Sequence, residues 1–367
     1  MKRKIYKLIT KPGIFFRDFF NKRYPVVNNE LACEEQDEIA LLKYSLRQDQ
    51  DFLNKEEKFP IDVVYTWVNK NSIWRDEFNS TYKDYQNEMG QYASDDARFE
   101  DHDELFYSLK SIRRFIPWVR KVFVVTNSAY NLPDFLKNGK DVVIVTHAEI
   151  IDKAYLPTFN SHVIEAHLHK IRQLSENFIY FNDDVFVARK LSREHFFQSN
   201  GLASLYISSK KIDEMSLKGV HTPSLLAAMY SQNLLSREFG TYINQTLVHT
   251  YIPLKKSMYE FAWELYQDEI EGFLGNRFRG NKDINMATFL VPWLMYIHGN
   301  ASIATDICYY FNIRSPHAKT QYERLLLKPK NVKPHSICAN DFYSDNEEAH
   351  YRESFKRFLK TYFTESI

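Results

Sequence analysis

Short apolar runs alternate with amphipathic stretches along the first half of the chain. Residues 61–68, 122–126, 142–147 and 178–181 are dense in β-branched and aromatic side chains. Runs like these, without strict polar alternation, suit strands buried on both faces. Between them the spacing becomes helical. Leu105, Leu109, Ile112 and Ile116 make one stripe, with Asp101 or Asp103 as its cap and Pro117 as its stop. Residues 132–136 read as a turn into a short helix. Ile164, Leu168, Ile171 and Leu174 make a second stripe, capped by Asn160 or Ser161. Strand and helix in alternation predict an α/β fold, with a Rossmann-like, mostly parallel sheet flanked by helices.

The same pattern divides the chain. Residues 1–58 read as an N-terminal helical segment, with helical spacing at Ile39, Leu42 and Leu46 and no chemical motif. The α/β core spans 59–199. Within it, residues 69–97 are polar, with little periodicity except around Trp74 and Phe78, and read as a long loop with some helix. A loop of that length is more often functional than idle. Residues 200–300 read as a mainly helical second lobe, with helices at 225–235 and 256–274. Residues 301–345 return to the core, and 346–367 hold a closing helix striped by Tyr351, Phe355, Phe358 and Tyr362.

Composition narrows the function. A formal charge of +1 provides no field for general nucleic-acid binding. Cys33, Cys308 and Cys338 are far apart and suit free thiols in a reducing compartment. No run reaches the length of a membrane span. The N-terminus is basic and aromatic. It reads either as a helix lying on an anionic membrane or as one packed on its own domain.

The run 178–181 stops at Asn182-Asp183-Asp184 and resumes as Val185-Phe186-Val187. Open α/β sheets bind ligands just beyond the carboxyl ends of their strands. Two aspartates there can hold a divalent cation that also binds a substrate's phosphates. The alternative is a solvated turn in which Asn182 and Asp183 bond their own backbone.

Four separated blocks resemble the Stealth family of sugar-1-phosphate transferases. The first is Ile-Asp-Val-Val-Tyr-Thr-Trp-Val at 61–68. The second runs from Arg98-Phe99 and Asp103-Glu104-Leu105, through Pro157-Thr158-Phe159-Asn160-Ser161 and Glu165, to Tyr180-Phe181-Asn182-Asp183-Asp184. The third holds His249, Arg279 and Asp283, and the fourth is Cys338-Ala339-Asn340-Asp341. One departure is Asn69, where the family usually carries an acid after the Trp-Val pair. The resemblance implies a GT-A-like core and a cytoplasmic capsular polysaccharide phosphotransferase that needs Mg²⁺ or Mn²⁺. It implies a UDP-sugar donor, an oligosaccharide or polysaccharide acceptor, a phosphodiester product and release of UMP. Peripheral contact with the inner membrane or the capsule export machinery is consistent with this.

On that resemblance, Asp184 and Asn340 hold the metal and Asp183 lies on the site floor. Arg279 clamps phosphate, with Arg277 as a competitor, and Asp283 orients it at helical spacing. His249 is the general base, with Asp183 as its rival. Asn160, Ser161 and Glu165 touch donor phosphate or sugar through a helix N-terminus, or Asn160 and Ser161 serve only as caps. Asp62 binds the nucleoside or is a buried carboxylate at the end of the strand ladder. The competing reaction is that of a metal-dependent GT-A glycosyltransferase, which attacks the sugar carbon and releases UDP.

Overall fold

The structure, a computed structural model, describes residues 2–23, 31, 33–52, 59–85, 101–137, 139, 141–342 and 348–364. Among them are eleven strands: β1 (Ile61–Thr66), β2 (Val122–Thr126), β3 (Val142–Thr146), β4 (Asn177–Asn182), β5 (Val185–Val187), β6 (Ala203–Lys211), β7 (Gln245–Leu247), β8 (Ile252–Lys255), β9 (Ala301–Ala304), β10 (Cys308–Asn312) and β11 (Ser336–Asn340). The central sheet has the order β3-β2-β1-β4-β8. It is parallel except for β8, which runs antiparallel to β4. The 3-2-1-4 order is that of a doubly wound α/β sheet. All of β2 and all but the last residue of β1 are buried, as strands covered on both faces must be. The fold is therefore α/β around a mostly parallel sheet.

β5 follows β4 after a two-residue turn but leaves the central sheet. It pairs antiparallel with β11, which pairs parallel with β10. The turn between β4 and β5, Asp183-Asp184, is thus a junction between two sheets. Residues 200–300 contribute the helices Pro223–Phe239, Lys256–Leu265 and Gln267–Leu274, and also β6, β7 and β8, the last of them inside the central sheet. β10 and β11 build the second sheet rather than extending the first. Their apolar face joins the helices Ala318–Leu327 and Tyr351–Thr364 in a second core, which also buries Leu42 of the Glu35–Phe52 helix. Tyr309 of β10 donates to Glu38, so this part of the N-terminal segment packs on the second core.

The polar stretch after β1 contains the helix Ser72–Tyr85, at the patch of periodicity around Trp74 and Phe78, which pack on Phe159 and Phe278. The remainder, 86–97, lies outside the described residues, as do Arg98 and Phe99. Two local expectations change. Asp103 occupies the N-cap of Glu104–Phe115 at φ 68° without a side-chain cap bond, and Glu104 turns back instead to accept from the His102 amide at 2.7 Å. The stripe from Ile164 to Leu174 is buried, yet its helix ends at Glu165 and resumes as a 3₁₀ turn at Leu168–Lys170.

Candidate active site

β4 is buried through Phe181 and emerges at Asn182, at the carboxyl end of the parallel strands. Asp183 and Asp184 follow at once and are half-buried. Burial pushes Asp183 up to about 7; repulsion from Asp184 adds to this, and Lys70 pulls it back. Burial also raises Asp184, whose charged form His249 and Cys338 partly restore. The Asp184 Oδ2 accepts from the Cys338 thiol at 3.5 Å, while its Oδ1 is buried with no partner. An orphaned buried carboxylate oxygen is costly. A hard dication would satisfy it and reverse both upward shifts. Asp183, Asp184 and Asn340 offer the oxygen donors such an ion takes.

Asn340 ends β11. The Ala339 amide donates to the Asp184 carbonyl, which sets this strand end beside the acidic turn. Alternation places Asn340 on the same face as Cys338, the residue that contacts Asp184. His249 lies between β7 and β8 with anchored neighbours. The Val248 amide donates to the Tyr206 carbonyl, Thr250 Oγ1 bonds Ser336 Oγ at 2.7 Å, and the Tyr251 hydroxyl donates to Asp306. The His249 ring itself is exposed and packs edge-on to Tyr310. Ligand atoms of Asp184, His249 and Cys338 lie within 4.8 Å of one another. Residues from three distant parts of the chain therefore converge on the end of β4.

Arg279 is held differently. Its Nε and Nη2 both donate to Ser161 Oγ, at 3.1 and 2.6 Å, and Nη1 reaches Ser224 Oγ at 3.4 Å. Two hydroxyls position the guanidinium without neutralising it. Arg277, its competitor, spends its fork on the carbonyls of Pro157 and Ala154. Ser161 opens the Ser161–Glu165 helix, and Glu165 at the other end accepts from the Tyr180 hydroxyl, which also bonds Asn182 Oδ1. One helical turn thus links Arg279 to the residue before Asp183.

Two expected roles are corrected in this region. Asp283 does not orient Arg279 at helical spacing, because residues 276–283 are not a helix. Its carboxylate is fully buried and accepts from Asn160 Nδ2 (2.8 Å), His162 Nδ1 (3.0 Å), Asn276 Nδ2 (2.8 Å) and the Gly280 amide (3.0 Å). None of these bonds comes from the guanidinium. A Cβ at Gly280 would crowd Asn276 Nδ2 at 3.0 Å and Asp283 Oδ1 at 3.3 Å. Asn160 caps the His162 amide and donates to the carbonyls of Asn276 and Phe278. Fully buried, with its amide occupied, it serves as the cap and holds the loop.

Asp62 is a third correction. It sits at the amino end of β1, opposite the acidic turn, with no exposure. Arg120 grips it with two hydrogen bonds, and the Ser175 amide adds a third at 2.7 Å. It is the ladder-end carboxylate, and nothing leaves it open to a nucleoside. Asn69 locks the loop after β1 to the loop after β2: its side chain donates to the Tyr130 carbonyl at 2.8 Å and its amide to Asn127 Oδ1.

The sequence reading missed Lys70, Glu104 and the pair behind Asp341. Lys70 lies four residues beyond the end of β1, at the same carboxyl edge of the sheet, and its charge reaches Asp183. Glu104 is buried and raised well above the usual range, first by burial and then by the charges of Asp183 and Asp101. Burial acts to raise Asp341 too, but hydrogen bonds from His102 and Arg314 outweigh it and hold it low. Asp341 thereby steadies the strand end that carries Asn340.

The model of Stealth protein CR2, conserved region 2, matches residues 98–205. A capsular polysaccharide phosphotransferase of Actinobacillus suis is 50% identical over 370 residues, covering 99% of each chain. One of Haemophilus influenzae is 51% identical over 372 residues, covering 98% of this chain and 100% of the relative. An exopolysaccharide phosphotransferase of Streptomyces coelicolor is 33% identical, covering 85% of this chain and 53% of the relative. Among solved structures, the galactosyltransferase LgtC aligns with 82% of this chain and 95% of its own at 10% identity and a TM-score of 0.41. With half of all positions shared from end to end with such relatives, the chain belongs to the Stealth family and is a transferase of phosphorus-containing groups.

Proposed function

We propose that this chain transfers sugar 1-phosphate from a UDP-sugar to a hydroxyl of a growing capsular saccharide. The observation that carries the proposal is the meeting of an exposed imidazole, His249, with Asp184 at the open end of β4. Full-length relatives named as capsular polysaccharide phosphotransferases support it. His249 takes the proton of the acceptor hydroxyl as its oxygen bonds to the phosphorus next to the sugar. The bridging oxygen of the diphosphate leaves with its electron pair on UMP. Arg279, set by Ser161, grips the transferring phosphate with its remaining N–H groups. Asp183, Asp184 and Asn340 would hold Mg²⁺ or Mn²⁺, which when bound offsets charge on the diphosphate. The test is the nucleotide released from UDP-sugar and acceptor: UMP is expected, and UDP would show attack at the sugar carbon instead.

We also infer that the N-terminal helices rest on an anionic membrane. Lys2–Thr10 and Pro12–Arg23 expose Ile5, Tyr6, Ile9, Phe16, Phe19 and Phe20, and residues 2–23 carry eight Lys or Arg against one acid. Exposed aromatics beside cations suit the headgroup boundary. Among the described residues no helix is long and apolar enough to cross a membrane. Co-sedimentation with phosphatidylglycerol vesicles but not phosphatidylcholine vesicles is expected, with binding lost in Phe16→Ser/Phe19→Ser/Phe20→Ser. Equal recovery in both supernatants would overturn the inference.

A further inference from the structure

We propose that Asp184, His249 and Cys338 form a binding site for a thiophilic divalent cation, Zn²⁺, in competition with the oxygen-bound cation of the transfer reaction. The donor set carries the argument. A thiol, an imidazole and a carboxylate lie within 4.8 Å of one another. Sulfur and nitrogen are the donors Zn²⁺ selects and Mg²⁺ avoids, and three protein ligands leave a fourth position for solvent. The Asp184 Oδ1 is buried without a partner, a second sign that a ligand belongs there.

The frame is rigid on one side and open to solvent on the other. Cys338 is fully buried on β11, opposite Val185, and the next amide bonds the Asp184 carbonyl. Sulfur and carboxylate are therefore fixed by one strand ladder. The His249 ring is exposed to solvent, which gives the ion an entry path. On binding, the thiol proton now shared with Asp184 passes to solvent, and the cation bridges thiolate and carboxylate. No redox partner is needed.

The other cluster of this kind, His195, Asp306 and His335, is different. His335 accepts from the Ile307 amide and bonds Ser45 at 2.8 Å, and Asp306 accepts from Tyr251 and Ser336 while bonding His195. Its donor atoms are spent on the fold.

That Zn²⁺ inhibits rests on the transfer reading above, because Asp184 cannot hold both ions at once and His249 cannot ligate Zn²⁺ while acting as the base. Binding is tested independently of transfer. Full-length, metal-free protein is titrated with Co²⁺, and a thiolate-to-cobalt band in the near ultraviolet is expected at one equivalent, bleached by Zn²⁺. The band is expected to vanish in Cys338→Ser and to persist in Cys33→Ser and in Cys308→Ser, with unchanged melting curves confirming that each variant folds. A missing band in the parent protein, or a band that survives Cys338→Ser, would overturn the site. In the transfer assay with excess Mg²⁺, the half-inhibiting Zn²⁺ concentration should rise in Cys338→Ser by at least the roughly tenfold lost with even an outer-shell partner. Equal Zn²⁺ sensitivity in the two proteins would overturn the competition.

Discussion

The carboxylate of Asp283 accepts four hydrogen bonds, from three side chains and an amide, and pins the 276–283 loop to the cap of a short helix. The carboxylate of Asp184 accepts one weak bond from a thiol, leaves Oδ1 alone, and sits beside a second acid. Both are aspartates withdrawn from water at a strand or loop end. Asp62, with Arg120 and the Ser175 amide, resembles the first. Donors present in full mark an acid that holds the fold. Donors missing mark an acid that the fold keeps ready for a cation or substrate, at a cost in stability.

The sharpest break in this comparison is the same substitution at both places. Asp184→Asn should reduce transfer by at least about a hundredfold, the scale of one lost electrostatic group in a preorganised site, and leave the melting temperature unchanged or higher. Chelation with EDTA should abolish the activity of the parent protein, and added Mg²⁺ or Mn²⁺ should restore it. If Asp184→Asn melts as early as Asp283→Asn, the distinction fails. Arg279→Lys comes next. A charge-assisted hydrogen bond is worth about 1.5–3 kcal/mol, so a point charge in place of the fork should reduce kcat/KM roughly ten- to hundredfold. Steady-state kinetics near the parent rate would count against the clamp.

Asp283→Asn should act on stability instead. Its donors would face an amide that cannot accept from all of them, and each buried donor left unpaired costs about 1–3 kcal/mol. The urea midpoint reads this, and an unchanged midpoint would show that the loop does not depend on the network. The last effect is that of pH on the fold. Burial lowers His147 and His167 to about 4 and His169 to about 3. Folded, these rings stay neutral while the unfolded chain protonates them near 6.5. Their contribution is whole above that value and is lost as pH falls through the folded values. Each can remove up to about 1.4 kcal/mol per pH unit within that window. Urea midpoints at pH 7.5, 6 and 5 should therefore fall in that order, and a midpoint that holds at pH 5 would contradict the assignment.

Much of the fold was legible because strand burial is written locally: β1, β2 and β4 are apolar runs, and their alternation with helical stripes implies the parallel sheet. The antiparallel β8 was not, since Ile252–Lys255 is four residues long and contains a proline. The acidic turn was legible from where it falls on its strand. What separated Asp184 from Asp62 and Asp283 was not, because Arg120 and Ser175, which satisfy Asp62, and Asn160 and His162, which bond Asp283, lie 58 to 123 residues away in sequence. The family block alone favoured Arg279 over Arg277. The physical distinction is that the carbonyls of Pro157 and Ala154 occupy Arg277.

The most direct measurement is ³¹P NMR of the saccharide made from a UDP-sugar and acceptor. A phosphodiester resonance in the product, growing in step with released UMP, is the predicted result. A product that contains the transferred sugar but no phosphorus would contradict the account.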